Sequence, residues 1–277
     1  MKSNMFVKIL IGIILILFLI AGIGYVAKEK GLFEMKHAGQ ENKSKDTKII
    51  SESKEFDAFE NINIKASVNN IEIVSSNKYK VELKYDETYG KIDYKVENNT
   101  LKIAQNPYKK NMNIIVNNYI KIYLPKDVKV KNLNISLEVG NINLENLDIN
   151  KSTFKSEVGN MEIKKCLVNE VDALVDKGNI DINESTINKN LELKSDVGNS
   201  NLNGKFLGYI NISKNVGDIK LNIDENENLY NYKGSTNTGD FIINGKERGK
   251  VLNVYNSAQN NIELECSTGD INLDFKK

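Results

Sequence analysis

The feature that most constrains the fold of this chain is a short internal repeat centred on glycine. Gly140, Gly159, Gly178, Gly198 and Gly217 follow one another at intervals of 19, 19, 20 and 19 residues. Each glycine is followed by Asn or Asp and, in most copies, by two apolar residues separated by one position. Unrelated Gly-Asn pairs would not keep this phase, so the chain is expected to consist of stacked structural repeats.

Further copies of the repeat lie outside this run. Thr238-Gly239-Asp240 follows after a longer interval of 22 residues, and Thr268-Gly269-Asp270 lies near the C-terminus. Val68-Asn69-Asn70 and Gln259-Asn260-Asn261 are interpreted as degenerate copies. The less regular segment between residues 56 and 125 also contains strand-like alternations, and it is predicted to form a cap and the first rungs of the stack.

Apolar residues alternate with polar ones before each glycine. Leu133, Ile135 and Leu137 stand seven, five and three positions before Gly140, and the same offsets recur in the later units. This period of two is typical of a strand with one buried face. Glycine is expected to supply a positive φ at the turn, and the following Asn or Asp to tolerate a left-handed conformation and to bond the local backbone. The sequence thus predicts an all-β, β-solenoid-like stack with repeats of 19 to 20 residues.

The N-terminus contains one long apolar segment. Residues 9–27 carry no charge, and at about 1.5 Å per residue in a helix they can span a bilayer core. We predict a single transmembrane helix at residues 9–27, a short cytoplasmic tail at residues 1–8 and a C-terminal domain outside the cytoplasm. A cleaved signal peptide is the alternative, because Gly22 and Gly24 provide small residues near the end of the segment. The lipid bilayer is then the first expected partner.

Residues 28–55 are predicted to form a polar linker, and residues 56–277 the β-repeat domain. The linker is rich in charged residues and has too little apolar surface to order itself. It holds His37, the single histidine of the chain. Mechanisms that need two histidines, or a serine and histidine relay, therefore lose their usual base.

Composition and motifs exclude several classes of function. The chain has 38 basic and 37 acidic residues, which gives no basic patch for a nucleic-acid partner. Motifs for nucleotide, dinucleotide and zinc-protease sites are missing from the sequence. We assign no catalytic, cofactor-binding or metal-binding residues and expect no cofactor.

Three sets of residues carry alternative interpretations. Cys166 and Cys266 are interpreted as buried small side chains, with a disulfide or a reactive thiol as the alternative. Calcium binding is disfavoured because the residue after each glycine is mostly Asn, although three copies carry Asp at 218, 240 and 270. Four tyrosines are expected to pack on a half-buried sheet, with an exposed strip for sugar or protein as the alternative: Tyr79, Tyr85, Tyr89 and Tyr94.

Several segments together resemble a known bacterial family, the "putative adhesin" domain. They are Phe56 with Ile62-x-Ile64, then Val68 to Ile73, then Ile120 to Pro125, followed by the glycine repeats. The resemblance extends from about Phe56 to the C-terminus. It implies a β-repeat domain that is often tethered to the membrane, associated with envelope-stress or regulatory modules, and without established catalytic residues.

Three hypotheses for the function follow. The first is a non-enzymatic, membrane-anchored extracytoplasmic domain that binds an envelope protein or a surface polysaccharide. The second is an accessory sensor or regulator of an envelope-stress signalling system. The third is a carbohydrate-active β-solenoid enzyme, which would need two carboxylates at a defined separation. A small-molecule substrate is not expected.

Overall fold

The computed structural model describes residues 48–87, 90–106 and 118–276. The predicted tail, the predicted transmembrane helix and most of the predicted linker lie outside the described residues. Within the described ranges, no helix is long and apolar enough to cross a membrane. The described residues belong to one compact unit, Thr47–Lys277.

The described part of the unit is all-β, and it includes a short 3-10 helix at Glu227–Leu229. Its strands are β1 (Ile49–Glu55), β2 (Asn61–Val68), β3 (Asn70–Ser76), β4 (Lys80–Asp86), β5 (Lys91–Glu97), β6 (Thr100–Asn106), β7 (Tyr119–Pro125), β8 (Lys129–Val139), β9 (Ile142–Glu145), β10 (Asp148–Val158), β11 (Met161–Lys164), β12 (Leu167–Lys177), β13 (Ile180–Val197), β14 (Ser200–Phe206), β15 (Tyr209–Val216), β16 (Ile219–Ile223), β17 (Tyr230–Thr238), β18 (Phe241–Ile243), β19 (Lys246–Glu247), β20 (Val251–Val254), β21 (Asn260–Thr268) and β22 (Ile271–Phe275).

The strands pair in two continuous series, which run side by side along the stack. The long strand β13 belongs to both series. The first series is β5-β6-β2-β8-β10-β12-β13-β15-β21-β17-β20. The second series is β1-β4-β7-β3-β9-β11-β13-β14-β16-β22-β18-β19. Pairing is parallel throughout the middle of both series and antiparallel only at their ends. This arrangement confirms the predicted β-solenoid-like stack.

Equivalent residues of successive repeats lie side by side. Ile142 pairs with Met161, and Met161 pairs with Ile180, so their apolar side chains form one column inside the stack. All three are no more than 1% exposed. A single repeat could bury these side chains only against another repeat, so stacking supplies the core.

Each repeat glycine is required by a close approach between neighbouring rungs. The φ of Gly159 is +144°, and a Cβ built on Gly159 would lie 1.8 Å from the carbonyl oxygen of Gly140. No residue with a side chain fits such a space. The predicted positive φ is confirmed, and the contact along the stack gives a second reason for glycine.

The Asn or Asp after each glycine has a different role from the predicted one. Asn141 Oδ1 accepts a hydrogen bond from the main-chain N–H of Asn160 at 2.9 Å, and Asn160 Oδ1 accepts from Asn179 at 2.9 Å. The bonds thus run to the next rung, and the prediction of a left-handed residue bonded to its local backbone is wrong. The glycine already takes the positive φ, which leaves the side chain free to point along the stack. The full ladder is Asn70, Asn141, Asn160, Asn179, Asn199, Asp218, Asp270 and Asp240.

The spatial order of the rungs departs from the sequence order at the C-terminal end. Strand β21 lies between β15 and β17, so Gly269 stacks on Gly217 and Gly239 stacks on Gly269. Gln259-Asn260-Asn261 is not a turn of the repeat, because Asn260 and Asn261 begin β21. The apolar alternation that follows, at Ile262, simply continues the strand before Gly269.

The spatial order of the strands also departs from the sequence order at the N-terminal end. Strands β2 and β3 pair with β8 and β9, while β6 and β7 close the outer side. The upstream copy at Val68-Asn69-Asn70 is confirmed as a turn, because Asn69 donates its N–H to Val139 and its carbonyl lies against Gly140. The predicted role of this region as cap and first rung is confirmed.

Strand β1 lies inside the segment predicted as a polar linker. It covers Ile49–Glu55 and pairs antiparallel with β4. Most of its side chains are exposed, so main-chain hydrogen bonds rather than apolar burial hold it in place. An apolar pattern could not reveal such a strand, and the ordered domain therefore begins before residue 56.

Candidate binding groove at the C-terminal end of the stack

An open groove lies on the outer face of β15, β21, β17 and β20, at the C-terminal end of the first series. It encloses about 180 Å³. Polar and aromatic side chains dominate its lining, which consists of Tyr209, Asn231, Tyr232, Lys233, Asn253, Val254, Tyr255, Asn261, Ile262 and Glu263. We call this surface the C-terminal groove.

Two exposed tyrosines border the C-terminal groove. Tyr209 begins β15 and is 41% exposed, while Tyr255 follows β20 and is 78% exposed. Tyr209 pairs with Asn261, and Asn261 pairs with Asn231. Strands β17 and β20 are antiparallel, and Tyr232 pairs with Val254. The residue before Tyr232, Asn231, therefore lies opposite the residue after Val254, which is Tyr255. The tyrosines therefore stand at the two ends of one row across four strands, about 14 Å apart at the usual strand spacing.

The asparagines between the tyrosines are held by hydrogen bonds. Asn231 Nδ2 donates to Asn261 Oδ1 at 3.0 Å and to the carbonyl of Ala258 at 2.8 Å. Asn231 Oδ1 accepts from the N–H of Asn256 at 2.9 Å. These bonds hold the segment that follows Tyr255 against Asn231. The position of Tyr255 at the border of the groove therefore depends on the asparagines between the two tyrosines.

The neighbouring row of side chains in the groove contains an ion pair, which also accepts a hydrogen bond from a tyrosine hydroxyl. Lys233 Nζ lies 2.9 Å from Glu263 Oε1, and the hydroxyl of Tyr209 donates to Glu263 Oε2 at 3.0 Å. The hydrogen bond from Lys233 holds the pKa of Glu263 below its usual value, and the Tyr209 hydroxyl adds to this effect. Glu263 in turn raises the pKa of Lys233. Both groups stay charged at neutral pH, and their charges cancel.

A second open pocket brings together acidic residues, of which a glycosidase would need two at a defined separation. Glu72, Glu145 and Glu162 line a second open pocket of about 190 Å³ together with Lys164. A general acid needs a carboxyl group with a raised pKa. Among the described residues, every carboxyl group with a resolved pKa shift has a lowered pKa, and in each case the first cause is a lysine: Glu60, Glu82, Glu97 and Glu263.

The three aspartates considered for calcium lie on neighbouring rungs. Asp218 Oδ1 accepts from the N–H of Asp270, and Asp270 Oδ1 accepts from the N–H of Asp240, both at 2.9 Å. The described residues contain no group of three or more His, Cys, Asp or Glu side chains placed to hold a metal ion. These aspartates therefore act as the continuation of the asparagine ladder.

Both cysteines are buried free thiols, as the first interpretation predicted. Burial raises the pKa of Cys166 to about 11 and also raises the pKa of Cys266. A thiol that stays protonated is a poor nucleophile. The alternatives of a disulfide and of a reactive thiol are thus not supported by the geometry.

The tyrosines singled out in the sequence pack within the domain. Tyr85 is 2% exposed, and the ring of Tyr79 lies 4.8 Å from that of Phe59. The ring of Tyr94 lies 6.0 Å from that of Phe56. The packing interpretation is confirmed for these three, and Tyr89 lies outside the described residues.

Sequence reasoning missed Tyr209 and Tyr255. Tyr209 lies eight residues before Gly217, at an outward position that holds Lys151, Glu170 and Asn190 in the three preceding rungs. An aromatic residue at a polar position of the repeat was the available signal. Tyr255 follows a strand outside the glycine phase, so the repeat gave no signal for it.

The fold and the groove define a β-solenoid domain with an open aromatic and polar groove at one end. The chain belongs to the Toastrack DUF4097 family, whose model matches residues 59–208, more than half of the chain. All lining residues of the C-terminal groove come after residue 208, so the groove lies outside the matched segment. No curated protein matches the chain.

One solved structure shows the same fold at low sequence identity, and two others are similar to this chain with lower TM-scores. A "putative adhesin" from Bacteroides fragilis NCTC 9343 is 19% identical, with a TM-score of 0.50 over 83% of this chain and 97% of that chain. A "putative cell adhesion protein" from Clostridium sporogenes ATCC 15579 is 19% identical, with a TM-score of 0.40 over 83% and 100%. A "putative lipid binding protein" from Parabacteroides distasonis ATCC 8503 is 15% identical, with a TM-score of 0.33 over 83% and 97%.

Proposed function

We propose that this chain is a non-enzymatic, membrane-anchored binding protein of the bacterial cell envelope, which contacts a surface polymer or protein through the C-terminal groove. The observation that carries the proposal is the row with Tyr209 and Tyr255 at its ends, two exposed aromatic rings over a polar floor fixed by hydrogen bonds. Aromatic side chains with a polar tip are enriched at binding surfaces, because they bury a large area at a small entropic cost.

The position of the groove along the stack supports this proposal. The described chain enters at β1, the first strand of the second series, whereas the groove lies at β20, the last strand of the first series. Ten strand spacings separate the two ends of the first series, about 48 Å. Strand β1, to which an anchor at residues 9–27 is joined in sequence, thus lies at the end of the stack that is remote from the groove.

The name of the Bacteroides fragilis protein of the same fold, a "putative adhesin", agrees with a binding role. Glu60, Glu82, Glu97 and Glu263 have lowered pKa values, which do not suit the general acid of a glycosidase. Since the groove lies beyond the segment matched by the family model, the proposal depends on residues of this chain itself.

The proposal is tested by binding of the compact unit, residues 47–277, to isolated envelopes of the producing bacterium. This unit contains its own core and can be used without the N-terminal segment. We expect Tyr255→Ala to weaken binding about tenfold, the effect of about 1.4 kcal/mol lost at one exposed aromatic contact. Sedimentation of the envelopes with labelled protein gives the affinity.

The control is Leu174→Ala, which removes an outward side chain that is 40% exposed on β12 of the same series. It should leave binding unchanged. If Tyr255→Ala and Tyr209→Ala both bind like the unsubstituted protein, the groove is not the contact surface and the proposal fails.

A further inference from the structure

We infer that the ligand of the C-terminal groove is an uncharged glycan chain. This inference rests on the proposed function and adds to it the chemical class of the ligand. It follows from the aromatic borders, the hydrogen-bonding groups of the floor, the balance of charge and the direction of the groove across the strands.

The borders of the groove suit the faces of sugar rings. Tyr255 and Tyr209 present exposed rings, and the negative face of an aromatic ring attracts the polarised C–H groups on the apolar face of a sugar. The main-chain positions of the two tyrosines are three strand spacings apart, about 14 Å, which is longer than one sugar ring. A chain of several sugars can therefore contact both tyrosines, whereas a single sugar can contact only one.

The floor of the groove offers both donors and acceptors to hydroxyl groups. Lys233 is exposed over 57% of its side chain and has donors beyond the one directed at Glu263. Glu263 provides acceptor positions, and the Asn253 side chain adds an amide. A sugar hydroxyl donates and accepts at once, so it can bond an ammonium and a carboxylate that lie side by side, and bonds to charged groups are the stronger ones.

The charge balance favours a neutral polymer. Lys233 and Glu263 are the two charged residues of the lining, and they form an ion pair. A polyanion such as a phosphate polymer would meet the carboxylate of Glu263, and a polycation would meet the ammonium of Lys233. Neither would gain the net attraction that a cluster of one sign provides.

The direction of the groove disfavours an extended peptide. The groove crosses the outer face of four neighbouring strands, from β15 to β20. Main-chain groups in β21 and β17 already pair with strands on both sides. A peptide that adds to a sheet needs the free main-chain groups of an edge, which β20 has on its outer side; a peptide added there would run along β20 and not across the groove.

The test is affinity electrophoresis of residues 47–277 in gels that contain one polymer each. The probes are a neutral glucan, an N-acetylhexosamine oligomer, a polyuronate and a polyglycerol phosphate. We expect retardation by one or both uncharged probes, and no loss of this retardation when salt is added, because the interaction does not depend on net charge.

Three variants make the test specific to the groove. Tyr255→Phe should bind as the unsubstituted protein does, because the ring and not the hydroxyl makes the contact. Tyr255→Ala should bind the glycan about tenfold more weakly. Leu174→Ala should show full retardation and serves as the control for changes to the outer face.

The outcomes separate this inference from the proposed function. Retardation only by the anionic probes, lost with salt, overturns the inference. The same holds if no probe is bound while Tyr255→Ala still weakens binding to envelopes and protease treatment of the envelopes abolishes it, since the ligand is then a protein. If Tyr255→Ala and Tyr209→Ala change neither glycan nor envelope binding, both proposals fail.

Discussion

At the scale of single residues, the inward position three residues before each glycine explains a buried lysine. Lys214 is 3% exposed, and its Nζ donates to the carbonyl of Gly198 at 2.7 Å. In neighbouring rungs, Cys266 Sγ donates to Gly217 and Thr236 Oγ1 donates to Gly269. In these three rungs, the side-chain donor at this position bonds the glycine carbonyl of a neighbouring rung. Lys214 donates the hydrogen bond that a thiol or a hydroxyl donates in the neighbouring rungs, but its donor group can carry a charge.

Burial lowers the pKa of Lys214 to about 8, despite the opposing influence of Cys266 and Asp218. In the unfolded chain the group titrates near its ordinary value of about 10.4. Between these pH values the unfolded chain holds a proton on Lys214 that the folded chain has released, so the contribution of Lys214 to the free energy of unfolding rises with pH, by at most about 1.4 kcal/mol per unit. The buried thiols of Cys166 and Cys266, whose pKa values are raised, contribute in the opposite direction in both the unsubstituted protein and a Lys214 variant. Below pH 8 the cost of the buried charge is fully present.

We predict that Lys214→Met removes this dependence on pH. The slope of the unfolding free energy between about pH 8 and pH 9.5 should be smaller in Lys214→Met than in the unsubstituted protein, as measured by urea unfolding. The range ends below about pH 10, where buried tyrosines with raised pKa values, such as Tyr230, begin to destabilise the fold. Equal slopes in the two proteins would show that Lys214 stays charged in the fold.

At the scale of elements, the asparagine ladder links each turn to the next. Asn179 Oδ1 accepts the N–H of Asn199 at 2.8 Å, and the N–H of Asn179 donates to Asn160. Only an acceptor oxygen is needed, which accounts for Asp218 and Asp270; Asp240 ends the ladder as a main-chain donor. The abundance of Asn, which codon bias alone could have produced, has a structural use here.

We predict different effects for two substitutions of Asn179. Asn179→Ala should lower the free energy of unfolding by about 0.5–1.5 kcal/mol, because it removes one hydrogen bond to an exposed amide. Asn179→Asp keeps the acceptor and should cost less than Asn179→Ala. Urea unfolding of both variants provides the comparison, and equal losses would mean that the ladder bond does not stabilise the stack.

The turns and strands of the repeat were predictable because their signals are local. A glycine with positive φ and an alternation of apolar residues depend on neighbours within a few positions, and Gly159 and Ile142 show both. The partner of each strand is a long-range choice. The apolar pattern of β17 fits against β15 as well as against β21, so the sequence could not show that β21 lies between them. The C-terminal groove depends on this order, because Asn231 meets Asn261 only through it.

At the scale of the whole molecule, both ends of the stack are closed by strands that leave the sequence order. Antiparallel strands β1 and β5 cover the N-terminal end, and β19 and β20 cover the C-terminal end. The N-terminal end strands carry several charges, as in Lys91–Glu97, and charges protect an exposed edge from pairing with other chains. The last strands in sequence, β21 and β22, are interior to the stack, and this has a consequence for truncation.

We predict that removal of residues 256–277 unfolds more of the domain than it deletes. Without β21 and β22, strand β17 keeps only its antiparallel partner β20, and an isolated two-stranded hairpin is marginally stable in water. Hydrogen exchange should then show lost protection at residues 230–254, while the rungs up to Val216 stay protected. Removal of residues 47–55, which deletes the end strand β1, is the control and should leave protection elsewhere unchanged. If residues 230–243 stay protected in the first truncation, the rung has docked directly on β15, and the inserted strand would not be required to hold it.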